Sequence, residues 1–393
     1  MEKILTNAEV FNLLKTGTAD MHLYGDDAAV MKSIRHDPCI LACCATEWTA
    51  MTRNCVGLRT LMEDGEEKVK QYLAHCKAFV LFEFEKLSAK QFDEIIGLAL
   101  SVKPKPRIIL VGDLRTRISC PANEMTSPVQ SECWKKLKLD TVRVPVKKVD
   151  EEYRQAVDLI SRGDFKGAEW INSNCCKECP EDAVQIVTSK SEAENIKKEN
   201  EPPHQKPSGG YNSYDEPYGS KGWGFLKAGI YDQINKDECA ISDFLPIYNG
   251  EQIMTVTDPK CDDHCAFDTE IRKANPYIDD NGILRIRGLK SGRFAVWKRS
   301  RVKYHINEYG LGEFRYETIG SFKRMNILPT HAVSLWQVEL MTFNSICIDP
   351  TTTMPGELAA LLSRCRSVKG LYLTRPIKEE DIKVDAEIVK AIS

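Results

Sequence analysis

Between residues 285 and 303 the chain reads RIRGLKSGRFAVWKRSRVK. Eight basic side chains stand there, Arg285, Arg287, Lys290, Arg293, Lys298, Arg299, Arg301 and Lys303, with Phe294 and Trp297 among them and no acid. Cations that neutralise phosphates, together with aromatic faces that stack on bases, are what a binder of single-stranded nucleic acid uses. The same pattern also fits the solvated face of a strand pair whose aromatics fill a core. A second group carries soft metal ligands: Cys175, Cys176 and Cys179 lie in CCKEC, and Cys261, His264 and Cys265 in CDDHC. A structural zinc would take Cys176 and Cys179 with two of Cys261, His264 and Cys265, as C-x2-C facing C-x2-H or C-x3-C. Neither run has the regular repeat of a zinc finger, so we read them as ordinary reduced thiols and expect no metal.

The elements that must hold these groups follow from composition and periodicity. The chain has 393 residues, 54 basic against 57 acidic side chains for a net charge of −3, 42% hydrophobic residues, 23 Gly and 18 Pro. That excludes disordered, collagenous and histone-like proteins, and at roughly 150 residues per domain it suggests about two to three domains. The opening MEKILTNAEVF lacks a basic n-region and a long apolar stretch. No apolar run reaches the roughly 18 residues of a membrane span, so the expectation is an intracellular protein, cytoplasmic or nuclear, without a membrane partner. The 15 Cys are scattered and include the adjacent pairs Cys43-Cys44 and Cys175-Cys176. In a cytosol these stay reduced.

Thr6 and Glu9 suggest a capping box before a helix over 7–15. FVLFEF (79–84) and RIILV (107–111) predict buried strands, separated by a helix on which Phe92, Ile95, Ile96, Ala99 and Leu100 fall at helical spacing. Buried strands alternating with helices imply a parallel α/β sheet. A helix near 151–162 closed by Gly163, then a strand over 183–188, begins a second unit. Residues 200–224, rich in Pro, Gly, Asn and Ser, predict a long loop whose Tyr211, Tyr214, Tyr218 and Trp223 could dock a protein partner. Short β-like segments with turns at Asn249-Gly250 and Asn281-Gly282 predict a small antiparallel barrel over 245–325. The α/β pattern then resumes: strands at 345–349 and 370–374, a helix at 356–366 and a terminal helix at 378–392.

The tail LAALLSRCRSVKGLYLTRP (358–376), preceded by SICID and PGEL, resembles the last motif of superfamily 1 helicases of the RecD-like and Pif-type class. THAVSLWQVELMTFNSICID (330–349) falls where that family has Thr-x-His-Lys-x-Gln-Gly, and YNGE (248–251) resembles the Asn-Gly-Asp turn that opens its inserted barrel. In the first half, ATEWTAM (45–51) stands in place of Pro-Thr-Gly-x-Ala-Ala, FVLFEFEKLS (79–88) in place of the Walker B strand, and ILVGDLRT (109–116) in place of Gly-Asp-x-x-Gln. SPVQSECWKKLKL (127–139) resembles the segment that follows. The resemblance spans roughly residues 5–376, and the order and spacing of the matches carry it more than any single one.

It implies two RecA-like parallel-sheet lobes with a small SH3-like β-barrel inserted in the second. The expected bounds are 1–145 for the first lobe, 146–245 for the start of the second with a flexible linker at 200–224, 246–325 for the barrel, and 326–393 for the end of the second lobe. It also implies where nucleotide chemistry would sit. A P-loop needs Gly-x-x-x-x-Gly-Lys-Ser/Thr. Here the position reads Gly25-Asp26-Asp27-Ala28-Ala29-Val30-Met31-Lys32-Ser33. With Lys32-Ser33 in register the two glycines become Asp26 and Met31; with Gly25 in register the Lys becomes Met31. Asp26 and Asp27 would set carboxylates beside a polyphosphate, and like charges repel. The Walker B pair becomes Phe82-Glu83, and a phenyl ring cannot bind Mg²⁺. The family's Gln positions fall on Val10 and Thr116, and its His-Lys-x-Gln-Gly on Trp336-Gln337-Val338-Glu339-Leu340.

Glu83, Asp113 and Arg364 are then relics of catalytic motifs, and neither ATP nor Mg²⁺ is expected as a ligand. The strand-binding candidates are Thr46, Arg285, Arg287, Arg293, Trp297, Lys298, Arg299, Arg301 and Lys303. The reading at this level is a catalytically inactive helicase-like subunit of a replication, transcription or viral assembly, with other protein subunits and single-stranded DNA or RNA as partners. Two alternatives stay open: a divergent active ATP-dependent helicase, and a protein-interaction scaffold that never touches nucleic acid.

Overall fold

The computed structural model of the chain describes residues 3–4, 7–25, 27–34, 37–46, 55–118, 126–144, 149–180, 183–189, 191–193, 195–196, 209–212, 214–217, 244–249, 252–255, 270–273, 275–278, 284–286, 294–306, 312–325, 327–329, 332–338 and 342–392. The first sheet has seven strands: β1 (Lys3–Ile4), β2 (Met21–Gly25), β3 (Ile40–Cys44), β4 (Val56–Gly57), β5 (Ala78–Phe82), β6 (Arg107–Val111) and β7 (Asp140–Val144). Their spatial order is β1-β7-β2-β6-β5-β3-β4, and every pairing is parallel. Strands β3, β5 and β6 are buried along their whole length, which is why, apart from the buried Arg107 at the start of β6, they read as apolar runs.

Helices cover both faces of this sheet. On one side lie α1 (Asn7–Thr16) and α2 (Asp27–Ile34), which contribute Val10, Leu14, Val30, Met31 and Ile34 to a core with Leu23, Val80 and Ile109. On the other lie α3 (Leu58–Glu63), α4 (Glu66–His75), α5 (Ala89–Ser101) and α6 (Glu132–Lys136). Helix α5 starts where Ser88 and Gln91 cap each other reciprocally, and it buries Phe92, Ile95, Ile96 and Ala99 at one-turn spacing.

The second sheet has the order β19-β8-β20-β21, again all parallel, from β8 (Val184–Val187), β19 (Val333–Ser334), β20 (Ile346–Ile348) and β21 (Leu371–Leu373). Its core includes Tyr153, Ala156 and Ile160 of α7 (Glu151–Ser161), Ala168 and Ile171 of α8 (Lys166–Asn174), and the apolar residues of α9 (Glu357–Leu362). Asp150 starts α7 by accepting from the Glu152 and Tyr153 amides, and Gly163 follows its end at φ 83°.

Between β8 and β19 the chain forms antiparallel pairs: β9 (Gly209–Asn212) with β11 (Phe244–Ile247), β12 (Gln252–Thr255) between β13 (Glu270–Lys273) and β18 (Ile327–Pro329), and β14 (Pro276–Ile278) with β15 (Leu284–Ile286). A long hairpin joins β16 (Phe294–Ile306) to β17 (Gly312–Met325), with a bulge between Arg299 and Ser300, and β10 (Tyr214–Pro217) extends it. Two expectations change here. Within 200–224, residues 209–212 and 214–217 are strands rather than loop, because distant partners, Phe244–Ile247 and Gly312–Met325, supply the backbone hydrogen bonds that local composition does not predict.

The terminal helix over 378–392 is instead a tight turn at Glu379–Asp381 and a separate α10 (Ala386–Ile392). Asp381 binds both Arg375 and the Lys378 amide, which fixes the turn, and Asp385 accepts from the Glu387 and Ile388 amides to start the helix afresh. Helix α10 returns to the first lobe, beside the turns at Leu114–Thr116 and Pro128–Gln130, and Ile388 is buried in the core that α5 and α6 share. Among the described residues, no helix is long and apolar enough to cross a membrane.

Candidate functional site

In parallel α/β sheets, ligands meet the chain at the carboxyl ends of the strands. In the first sheet that edge is built from Gly25, Cys44 to Thr46, Glu83 and Gly112 to Arg115. Strand β2 ends at Gly25, whose φ of 108° and close approach to β7 both require glycine: a Cβ there would stand 2.1 Å from the Val144 carbonyl oxygen. Helix α2 begins at Asp27, so one residue separates strand from helix. A strand–GxxxxGK[ST]–helix unit spends several more residues wrapping a phosphate. Met31, at one of the two possible lysine positions, is buried in the core. Lys32 is exposed, and the Ser33 hydroxyl donates to the Ala29 carbonyl of its own helix at 2.8 Å.

Beyond β5, Glu83 is the one non-glycine residue with positive φ among those described, at 57°. Its amide donates to the Val111 carbonyl at 2.7 Å, its Oε2 accepts from Thr46 Oγ1 at 2.8 Å and its Oε1 pairs with Lys86 Nζ at 2.5 Å. Three contacts from three segments hold this strained, buried carboxylate in place. Phe82, the residue before it, is fully buried. Gly112 lets Glu85 approach: a Cβ there would lie 1.8 Å from Glu85 Oε2. Burial holds the nearby Arg117 guanidinium below its ordinary pKa, opposed by the Glu85 and Asp385 charges.

His22 of β2 bonds through Nε2 to the Gly112 carbonyl at 2.9 Å, which fixes the Nε2–H tautomer. Burial pushes its pKa below 6.5, against the opposing pull of that bond and of Asp113. Asp113 caps the turn after β6 by accepting from the Arg115 amide. Arg115 lies 4.1 Å over the Tyr24 ring and pairs through Nε with Asp158 on α7. Arg143 on β7 makes a bidentate pair with Glu151, at 2.9 and 2.8 Å, also on α7. Bonds from Arg143 and Arg154 bring Glu151 down to about 2. These positions, which sequence reasoning left out, tie the edge to the second lobe; alternating charge on α7 was their only signal.

Arg364 follows α9 and donates to the Ala360 carbonyl, to Ser363 Oγ at 2.8 Å and to the Val338 carbonyl at 3.5 Å. Of the strand-binding candidates, Thr46 is half-buried on Glu83. Arg285 lies opposite Tyr277 in the β14–β15 pair. In the long hairpin Trp297 is opposite Phe322, Lys298 opposite Ser321, Arg299 opposite Gly320, Arg301 opposite Glu317 and Lys303 opposite Arg315. Arg287 and Arg293 lie outside the described residues. Strand β16, which carries five of the candidates, runs beside β4 and α3, the elements that follow the Thr46 segment.

Among the metal candidates, Cys176 Sγ donates to the Lys369 carbonyl at 2.7 Å and Cys179 Sγ to the Pro180 carbonyl at 3.7 Å. Cys347 is pushed up to about 12 by burial and by the adjoining Cys179. Cys261, His264 and Cys265 lie outside the described residues, and no group of three metal-ligating side chains converges among those described.

No protein-family model matches the chain, and no curated protein matches its sequence. Among solved structures it is similar to the Pif1 helicase of Bacteroides sp. in complex with ADP-AlF4, at a TM-score of 0.73 and 15% identity over 98% of this chain and 95% of that one. It is similar to the Pif1 helicase of Candida albicans at a TM-score of 0.64 and 12% identity, over 98% of each chain. A Bacteroides Pif1 bound to ssDNA matches at a TM-score of 0.57 and 15% identity, over 98% of this chain and 95% of that one. At such identity the likeness concerns the fold: two RecA-like α/β lobes, as in these helicases.

Proposed function

We propose that the chain is a helicase-like protein that binds single-stranded nucleic acid as a structural subunit of a larger assembly and does not turn over ATP. The observation that carries this reading is the one-residue passage from β2 to α2, with Met31 committed to the core and Ser33 to its own helix. A polyphosphate needs a loop of free amides, a lysine and an Mg²⁺-binding hydroxyl at that point. The rest of the edge supports the same reading, since Glu83 is held by Thr46 and Lys86, and Arg115 by Tyr24 and Asp158.

Nucleic-acid binding draws its support from the placement of β16 beside β4 and α3, which brings Trp297, Lys298, Arg299, Arg301 and Lys303 to the flank of the lobe that carries Thr46. The likeness to a Pif1 bound to ssDNA agrees with that placement. The antiparallel strands between β8 and β19 are, in this reading, the small barrel inserted in the second lobe. Thr46, Arg285, Arg287 and Arg293 complete the strand-binding set.

An active ATP-dependent helicase is the rival, favoured by the likeness to a Pif1 carrying ADP-AlF4. ATP turnover with and without single-stranded DNA or RNA separates the two. The proposal expects background rates with both, whereas a strand-stimulated rate that disappears in Arg364→Ala assigns the chain to the rival. Strand binding at low salt should weaken, with a shallower salt dependence, when Arg299 and Arg301 are changed to Glu. Unchanged binding, or none in the parent chain, leaves a protein-interaction scaffold.

A further inference from the structure

Strand β3 ends in two adjacent cysteines that face opposite sides of the sheet. Cys43 lies in the core beneath α3 to α6 and Cys44 in the core beneath α1 and α2, as the two-residue period of a strand requires. On that second face Cys44 Sγ stands 2.9 Å from the Sγ of Cys55, eleven positions later in the chain. Both are buried in the same cluster, and neither belongs to the metal half-sites; Cys44 is the last residue of β3, at the strand-end edge two residues before Thr46. The sulfurs are about 0.9 Å farther apart than the ~2.04 Å of a disulfide bond, an approach that small torsional changes can supply.

Cys55 immediately precedes β4, a two-residue strand at the outer edge of the sheet. Edge strands of this length open locally far more readily than central ones, which gives a small oxidant access to thiols that the closed fold buries.

We propose that Cys44 and Cys55 are a redox modification site, forming a reversible disulfide when the protein meets a peroxide. One thiolate attacks a peroxide oxygen, the O–O bond breaks and a sulfenic acid forms; the second thiolate then displaces hydroxide from that sulfur to make the S–S bond. In sum, two thiols and one hydrogen peroxide give one disulfide and two waters, so the sulfur pair loses the two electrons that the O–O bond gains. A dithiol reductant reverses the reaction by exchange. The bond pins β4, against which β16 runs, to β3 two residues before Thr46, which holds Glu83. The chemistry stands whether or not the chain binds nucleic acid.

The test is peptide mapping of the intact, pre-reduced protein after hydrogen peroxide, with remaining thiols blocked by a maleimide and digestion under non-reducing conditions. The expected product is a Cys44–Cys55 cross-linked peptide, two hydrogens lighter than its parts and restored by dithiothreitol. It is kept in Cys43→Ser and lost in Cys55→Ser. Cys43 is the internal control, since a merely reactive sequence would use it as readily as its neighbour, whereas the geometry selects Cys44. Recovery of Cys55 in maleimide-blocked form while other cysteines oxidise overturns the proposal. So does a cross-link through Cys43, or sulfinic acid at Cys44 without a cross-link. Should Cys55→Ser not fold, the wild-type and Cys43→Ser maps decide the matter by themselves.

Discussion

Arg115 is one of the two side chains that tie the candidate nucleotide edge to the second lobe, and cutting its tie has a calculable effect. Its side chain is 9% exposed and that of its partner Asp158 is 23% exposed. Exposed ion pairs contribute about 0.2–1 kcal/mol, while breaking a fully buried one costs about 3–5 kcal/mol. This pair sits nearer the buried limit, with some solvent screening through Asp158. Arg115→Ala also removes the stack on Tyr24, worth about 0.5–1 kcal/mol. The expected loss is about 2–4 kcal/mol. Asp158→Ala leaves the guanidinium its contacts with Tyr24 and Asp113, and should cost about 1–3 kcal/mol.

Urea titrations of the two single variants and the double variant give the coupling directly, and about 1–2 kcal/mol of non-additivity is expected. The effect should survive 0.5 M salt, because a largely buried pair is screened little. Single variants within about 0.5 kcal/mol of the parent, or strictly additive effects, would refute the reasoning.

Two further perturbations act on the same edge. Burial holds His22 below 6.5 in the folded chain, so between the folded and unfolded pKa values the unfolded chain binds more protons. The contribution is complete above 6.5 and is lost as pH falls below it; urea midpoints should drop from pH 7.5 to 5.5 and do so less steeply in His22→Gln, and equal slopes would contradict the assignment. Gly25→Ala forces a Cβ to 2.1 Å from the Val144 carbonyl at a φ of 108°, and thermal unfolding should report a loss of about 2–4 kcal/mol. A change below about 0.5 kcal/mol would show that β2 and β7 can separate freely there.

The apolar strands were legible because burial on both faces removes alternation and leaves near-continuous apolar runs such as FVLFEF and RIILV. Even so, β5 ends at Phe82, since Glu83 turns left-handed where it accepts from Thr46 and donates its amide to the Val111 carbonyl, partners that lie far away in sequence. Helix α5 was legible from Phe92, Ile95, Ile96 and Ala99 at helical spacing, a local signal. What local signals could not show were pairs brought together by the fold: Arg115 with Asp158, Cys44 with Cys55, and residues 209–217 with strands a long way downstream. At the site, the resemblance to helicase motifs singled out Gly25, Glu83 and Asp113, and the sheet order sets them on one edge. It could not show that Met31 packs inward, or that β16 runs beside β4.

The most direct test of the account is the melting temperature of the purified chain with 5 mM ATP and Mg²⁺. A ligand present at about 100 times its Kd stabilises the native state by ~2.7 kcal/mol. For a chain of 393 residues that corresponds to a rise of about 3 °C. The account predicts a shift below about 0.5 °C, the same as with Mg²⁺ alone. A reproducible rise of about 3 °C that needs both ATP and the metal would contradict it.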